Sequence, residues 1–265
     1  MSGAVLLALH NVRKTFDTGV ADARPALDGL SLALAAGDFV LVIGSNGAGK
    51  STLLNAVAGA INLDGGSIEL DGRDITRMAE HRRAGMIARV FQDPVAGTAA
   101  AMTVEENLAL AERRGKTRRL VPNLDAVRRA RYRELLAGLR LGMETRLDTP
   151  VAQLSGGQRQ SLSLMMAVLS APRLLLLDEH TAALDPRTAS LVMDATVAAI
   201  ATHGLTALMV THNMKQAIQY GNRLLMMDAG RLRLDVSGAE KTALTPEQLV
   251  QRFRLTDDRL LLAGA

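Results

Sequence analysis

Residues Gly44–Ser51 read GSNGAGKS and fit the pattern G-x-x-x-x-G-K-[ST] at every fixed position. Glycines at that spacing let backbone N–H groups turn inward around phosphate oxygens, and the helix that follows adds the positive end of its dipole. In such a loop Lys50 reaches the β- and γ-phosphates and the Ser51 hydroxyl ligates Mg²⁺. A glycine-rich turn that merely precedes a helix is the bland alternative. The flanking context, an apolar strand-like run before and an apolar-periodic run after, favours the phosphate loop.

A second group of chemical residues sits in LLLLDEHTAALDP, Leu174–Pro186. Four leucines ask for burial, and Asp178 and Glu179 end the run on two carboxylates. An Asp that closes a buried strand is where a Mg²⁺-supporting carboxylate belongs. Successive side chains on a strand leave opposite faces, so Glu179 points away from Asp178 and can polarise a water in line with a γ-phosphate. His180 next to it is given no catalytic step. Gln92, by itself, reads as a polar strand end. His212 after an apolar strand reads first as structural, and gains weight if its strand, placed last in the sheet, ends beside the phosphate loop. Phe16 is compatible with a place in the core.

Strands and helices must hold these groups. The N-terminal run through Lys14 reads as a first strand, 38–43 (DFVLVI) as a buried strand and LLNAVAGAI as the helix after the loop. Residues 62–75 carry turn signals between short strands, and MIARVFQ (86–92) is another strand. Residues 103–145 look helical. RLLLLD (173–178) returns to strand, SLVMDATVAAIATHG is a helix with a glycine stop, and LTALMVTH is a strand. RLLMMDAGRLRLDV is a hairpin turning at Ala229–Gly230. TPEQLVQRF offers Thr245 as N-cap with Gln248 as its capping-box partner. The alternation predicts a mostly parallel sheet covered on both faces, with an inserted helical stretch.

Composition narrows the classes. The 265 residues are 48% hydrophobic and 22% charged, with no cysteine, so disulfides, thiol catalysis and Cys-ligated zinc are excluded. Aromatics are only 2%, which argues against a nucleic-acid partner bound by stacking. No run approaches the roughly 18 apolar residues of a membrane span. Nine basic residues (Arg113, Arg114, Lys116, Arg118, Arg119, Arg128, Arg129, Arg131, Arg133) face one acidic residue, Asp125, in the same window. They fit a solvated helical face, or contact with anionic headgroups or an acidic permease loop.

LSGGQRQ, Leu154–Gln160, resembles the signature motif of ATP-binding cassette (ABC) ATPases. The resemblance runs through Phe16, the phosphate loop, Gln92 in VFQDP, the signature, Asp178–Glu179, ALD at 183–185 and His212 in VTH. It implies an α/β P-loop NTPase fold: a RecA-like core, an antiparallel β subdomain and an inserted α-helical subdomain. Residues 1–265 would form one cassette, with 1–92 and 160–265 as β subdomain and core and about 95–159 as the helical subdomain. The implied cofactors are ATP and Mg²⁺. Phe16 would stack on adenine; Gly44, Ser45, Asn46, Gly47, Ala48, Gly49, Lys50, Ser51 and Thr52 would hold the phosphates; Ser51, Gln92 and Asp178 would hold the metal. Glu179 would be the catalytic base, Gln92 would contact the water, and His212 would hold the γ-phosphate and orient Glu179. Ser155, Gly156, Gly157 and Gln158 would close over nucleotide bound to another subunit, in a head-to-tail dimer whose seam includes Asp185. SGGQ fits this as a second loop-to-helix start, an anion site without a lysine of its own. One departure is SLSLMMAVL, where many members carry a basic, Arg-containing helix.

One cassette per chain disfavours the tandem translation-type proteins. DEHTAALDP, LSGGQRQSLSLMM and MTVEENLALA are most similar to a bacterial importer group that works with a separate permease and a solute-binding protein. Some systems of that group are associated with tryptophan or tyrosine. The expected assembly is a homodimer, or a pair with a second ABC ATPase, peripheral on the cytoplasmic face of the inner membrane. A cassette ATPase acting in assembly or regulation without transport is the alternative. A P-loop kinase or GTPase would leave LSGGQ unexplained.

Overall fold

The computed structural model describes residues 4–16, 25–116 and 125–252. In chain order the elements are β1 (Val5–Lys14), β2 (Leu27–Ala35), β3 (Phe39–Gly44), α1 (Lys50–Ala58), β4 (Gly65–Leu70), β5 (Arg73–Asp74), α2 (Glu80–Arg83), β6 (Ile87–Val90), α3 (Val104–Glu112) and α4 (Ala126–Ala137). They continue with α5 (Gly156–Leu169), β7 (Leu174–Asp178), α6 (Pro186–His203), β8 (Thr206–Val210), α7 (Met214–Gln219), β9 (Arg223–Asp228), β10 (Arg231–Ser237) and α8 (Gly238–Thr242). The chain divides into two units: residues up to Glu80 with those from Thr206 on, and His81–Leu205.

The first unit holds an antiparallel sheet in the order β2-β1-β4-β5. It also holds β3, flanked by β8 and β9, both parallel to it, with β10 antiparallel on β9. Phe39–Ile43 are buried at every position, the unbroken apolar reading of a parallel strand covered on both faces. Its entry is pinned by polar groups: the Phe39 N–H donates to Asn222 Oδ1 at 2.8 Å, and Asn222 Nδ2 donates to Asp38 Oδ1 at 2.8 Å. The β9–β10 hairpin turns where expected, with φ of 46° at Ala229 and 76° at Gly230. Positive φ at both central residues matches the twist of the flanking strands. A further helical stretch covers 246–252, and the Thr245–Gln248 capping box is formed, with bonds of 2.9 and 3.3 Å. Phe253, the last residue read into that helix, lies outside the described residues.

In the second unit β6 and β7 pair in parallel, Ile87 with Leu174 through Val90 with Leu177. Helix α5 is buried along most of its length, including Leu162, Leu164, Met165, Met166 and Val168. A helix apolar on all sides is one enclosed by neighbours, and α3, α4, α6 and β6 all pack on α5. This accounts for the apolar, Met-rich SLSLMMAVL. Three structural details differ from the expectations above. Strand β8 is not last in the sheet but lies directly against β3. The anticipated cut at residue 159 falls inside α5, because Ser155 caps that helix and the chain runs on unbroken to Leu169. Helix α1 starts three residues before LLNAVAGAI and stops at Gly59, whose φ of 81° and N–H bonds to Ala56 and Asn55 carbonyls cap it.

Three arginines of the basic run are tied down within their own unit. Arg131 pairs with Glu112 at 2.7 Å, Arg128 with Glu112 at 3.7 Å, and Arg129 with Glu105 at 2.7 Å and Asp148 at 2.5 Å. The balancing carboxylates sit on α3 and before α5, outside the window that made the run look uncompensated. Arg118 and Arg119 lie outside the described residues.

Candidate functional site

In the first unit, β3 delivers the chain to Gly44 and α1 starts at Lys50, so the phosphate loop spans the turn between them. Two of its glycines are required by space. A Cβ at Gly44 would meet the Met227 carbonyl oxygen at 2.4 Å, and one at Gly49 would meet the Ala26 carbonyl oxygen at 2.2 Å. Gly49 also has φ 97°, which L-residues disfavour, and as N-cap it brings no side-chain acceptor to the first turn of α1. First-turn N–H groups of a helix suit an anion. Lys50 is only 7% exposed, and its ammonium donates to the carbonyls of Gly44 at 2.8 Å and Ser45 at 2.9 Å. The lysine thus folds back across its own loop and sets a positive charge there. Ser45, Asn46, Gly47 and Ala48 border a cavity of about 600 Å³ shared with the β9–β10 hairpin. Arg231 on its wall is met by Asp28 at 2.6 Å and Arg233 by Asp228 at 3.5 Å.

Phe16 is 43% exposed, with the Lys14 ammonium 5.5 Å from its ring centroid. A place in the core is therefore excluded; the ring is available for stacking. His212 is exposed and follows β8. The Thr211 N–H donates to the Val42 carbonyl at 3.1 Å, so His212 and the phosphate loop leave the same ends of two neighbouring parallel strands. Asn213 then caps α7, accepting from the Gln216 N–H at 3.1 Å, which fixes the turn carrying His212.

In the second unit, Leu174–Leu177 are buried and Asp178 ends the strand half-buried. Its Oδ2 accepts from Arg89 at 2.6 Å, the two side chains being 14% and 13% exposed. Glu179 has φ 43°, a left-handed conformation for a residue with a Cβ. The chain therefore turns immediately after Asp178, and the two carboxylates part by a backbone twist added to strand alternation. His180 is 1% exposed. The Thr196 hydroxyl donates to the Val192 carbonyl at 2.8 Å, so it accepts from His180 Nε2–H at 3.0 Å. Nδ1 is buried without a hydrogen-bond partner, and burial lowers the imidazole pKa to about 4, keeping it neutral. His180 is a core residue.

Gln92 is exposed just beyond β6, and the carbonyl of its neighbour Phe91 accepts from Gln160 Nε2 at 3.0 Å. The signature residues are heavily used by the fold. Ser155 caps α5 and Gln158 returns the bond, at 3.3 and 3.2 Å, as a capping box. Gln158 also accepts from Arg146 at 3.0 Å and donates to the Leu141 carbonyl at 3.2 Å. A Cβ on Gly157 would lie 2.1 Å from Thr188 Cγ2 on α6, so this glycine permits close packing of α5 on α6. Asp185 caps α6, accepting from the Thr188 N–H at 3.1 Å, and its pKa is lowered chiefly by the bond with the Thr188 side chain. The capping role of SGGQ was readable as S-x-x-Q; the Gly157–Thr188 approach was not.

Ser51 in the first unit offers a hydroxyl oxygen, and Gln92 and Asp178 in the second offer an amide and a carboxylate oxygen, the donor types a hard ion such as Mg²⁺ prefers. Among the described residues no group of three or more His, Cys, Asp or Glu side chains could hold a metal.

Residues 27–182 match the family model described as ABC transporter. The chain is 46% identical over 248 residues to a tyrosine transport ATP-binding protein of Clostridioides difficile, covering 94% of this chain and 98% of that one. It is 36% identical over 215 residues to the aliphatic sulfonates import ATP-binding protein SsuB 2 of Agrobacterium fabrum, covering 81% and 75%. Among solved structures it is similar, with a TM-score of 0.74 and 27% identity over 88% of this chain and 98% of that one, to the dimeric post-hydrolysis state of the cassette MJ0796 bound to ADP and Pi. With a phosphate loop between β3 and α1, an acidic strand end on β7 and a capped SGGQ helix, the chain belongs to the ABC transporter family and is a nucleotide-binding ATPase of it.

Proposed function

We propose that this chain is the ATP-hydrolysing subunit of a solute importer. It drives a separate membrane permease supplied by a solute-binding protein, from the cytoplasmic face of the membrane. The observation that carries this reading is the 46% identity, over nearly the whole of both chains, to a tyrosine transport ATP-binding protein. It also puts an aromatic amino acid first among candidate solutes. No helix among the described residues is long and apolar enough to cross a membrane; in this reading the permease supplies the permeation path.

In this reading residues 1–265 act as one cassette. The exposed ring of Phe16 stacks on adenine, while Gly44–Thr52, with Lys50 at the loop, hold the phosphates. Ser51, Gln92 and Asp178 would hold Mg²⁺, which when bound neutralises charge on the phosphate oxygens. Glu179 accepts the proton of the attacking water, Gln92 contacts that water, and His212 holds the γ-phosphate and orients Glu179. Ser155, Gly156, Gly157 and Gln158 complete the nucleotide site of a second cassette, identical or different, in a head-to-tail pair. Nucleotide closes the pair and hydrolysis reopens it.

The test is Glu179→Gln. Loss of the base should lower turnover by roughly 10²–10⁴-fold, leave ATP binding intact and trap a dimer with ATP and Mg²⁺ on size-exclusion chromatography. A variant that stays monomeric at saturating ATP, or that hydrolyses at the wild-type rate, refutes the proposal.

A further inference from the structure

Arg89 pairs with Asp178 and has no place in the mechanism above. It lies on β6 opposite Leu176 of β7, in the register that brings its side chain forward to the strand end. Its guanidinium donates to Asp178 Oδ2 at 2.6 Å and stacks over the Phe91 ring, 4.7 Å from the centroid. The backbone of Phe91 is itself held: its carbonyl accepts at 3.0 Å from Gln160, which is 1% exposed on the signature helix α5. Gln92 is the next residue along. A continuous set of contacts therefore runs from the Asp178 carboxylate through Arg89 and Phe91 to the Gln92 segment and α5.

We propose that Arg89 is a positioning residue for the metal step: it fixes the rotation of the Asp178 carboxylate by taking Oδ2, leaves Oδ1 for the metal, and ties that orientation to the Gln92 segment through Phe91. The inference rests on the reading of Asp178 as a Mg²⁺-supporting group. A carboxylate at a strand end can swing about its last torsion. A planar donor clamped on one side by an aromatic face removes that freedom more effectively than a point charge does. Partners that orient metal-binding groups in this way are worth 10–100-fold in metal affinity when lost. A guanidinium that merely competed with Mg²⁺ for the carboxylate would have the opposite effect, and would need no aromatic platform.

The experiment measures binding of a fluorescent N-methylanthraniloyl-ATP to the full chain while Mg²⁺ is titrated, and again in excess EDTA, with thermal melting of every variant. Arg89→Met should raise the Mg²⁺ needed for half-maximal binding by 10–100-fold and change the metal-free affinity less than twofold. Arg89→Lys, which keeps the charge without the planar fork, should fall between. Phe91→Leu, which keeps the ion pair and removes the ring face, should show a smaller shift in the same direction. Unchanged or tighter Mg²⁺ dependence in Arg89→Met overturns the proposal, as does an equal loss with and without metal. If Arg89→Met melts early, the Lys and Leu variants decide by the same criterion. Asp178→Asn separates the two layers. If it leaves the Mg²⁺ dependence untouched, the reading of Asp178 fails. If it abolishes that dependence while Arg89→Met does not shift it, only the role of Arg89 fails.

Discussion

Replacing Gly157 by alanine sets helix propensity against packing. Alanine in a helix is worth about 0.5–1 kcal/mol over glycine, so on an exposed helix the change would stabilise. Here the new Cβ would stand 2.1 Å from Thr188 Cγ2, with the next contacts at 3.6 Å (Cβ) and 3.9 Å (Oγ1). Thr188 cannot turn its methyl aside cheaply, since Asp185 takes both its N–H and its hydroxyl at the start of α6. Overpacking of this kind costs about 1–3 kcal/mol, so Gly157→Ala should lose about 1–2 kcal/mol net. Thr188→Ser deletes only the offending methyl and keeps the hydroxyl bond. In that background the 3.6 Å contact becomes an ordinary one, and Gly157→Ala should be neutral or stabilising by up to about 1 kcal/mol. The cycle of wild type, two single variants and the double variant, followed by urea unfolding, should give a coupling of about 1–3 kcal/mol. Additivity within about 0.5 kcal/mol, or a stabilising Gly157→Ala single variant, would refute the packing argument.

Lys50→Ala removes the ammonium bound to the Gly44 and Ser45 carbonyls and should weaken nucleotide binding by at least about tenfold, a loss of about 1.4 kcal/mol; unchanged affinity in a fluorescent-nucleotide titration would sink the phosphate-loop reading. His180 gives a pH dependence with a definite sign. Its pKa is about 4 in the fold against 6.5 ordinarily, so the unfolded chain takes up the proton first. Its contribution is complete above 6.5 and is lost progressively as pH falls from 6.5 toward 4. Between neutral pH and about pH 5.5 this amounts to about 1.2 kcal/mol. Urea unfolding at the two pH values should show His180→Gln losing that much less than wild type, and equal losses would exclude His180 as the source.

What the sequence made legible was local. The strand–loop–helix of Phe39–Ala58, the Ala229–Gly230 turn and the Thr245 capping box each lie within a few residues, where spacing and propensity decide the outcome. What stayed hidden was set by distant pairing. Arg89 and Asp178 are 89 positions apart, and nothing in IARVFQ marks its arginine as the partner of an acidic strand end. The placement of β8 against β3 is a matter of topology that an apolar run of five residues cannot encode. Part of the basic run, Arg128, Arg129 and Arg131, looked uncompensated because Glu105, Glu112 and Asp148 reach it from other segments. At Ser155–Gln158 the helix start was legible as S-x-x-Q and the capping box forms, on the same side chains to which the family resemblance assigns the nucleotide contact. Phe16 shows the reverse: a lone aromatic in a polar stretch is ambiguous in sequence, and its exposure excludes a place in the core.

The left-handed backbone of Glu179 sets stability against activity at a single position. An L-residue other than glycine gives up about 1–2 kcal/mol in that conformation, so glycine there would make a hardier protein and remove the proposed base at once. Any programme of selection that rewards heat resistance without asking for turnover would drift toward glycine at 179, and under the proposed role of Glu179 would lose turnover on the way. Under that role the glutamate is kept by function, and its conformational cost is recorded in a φ of 43°.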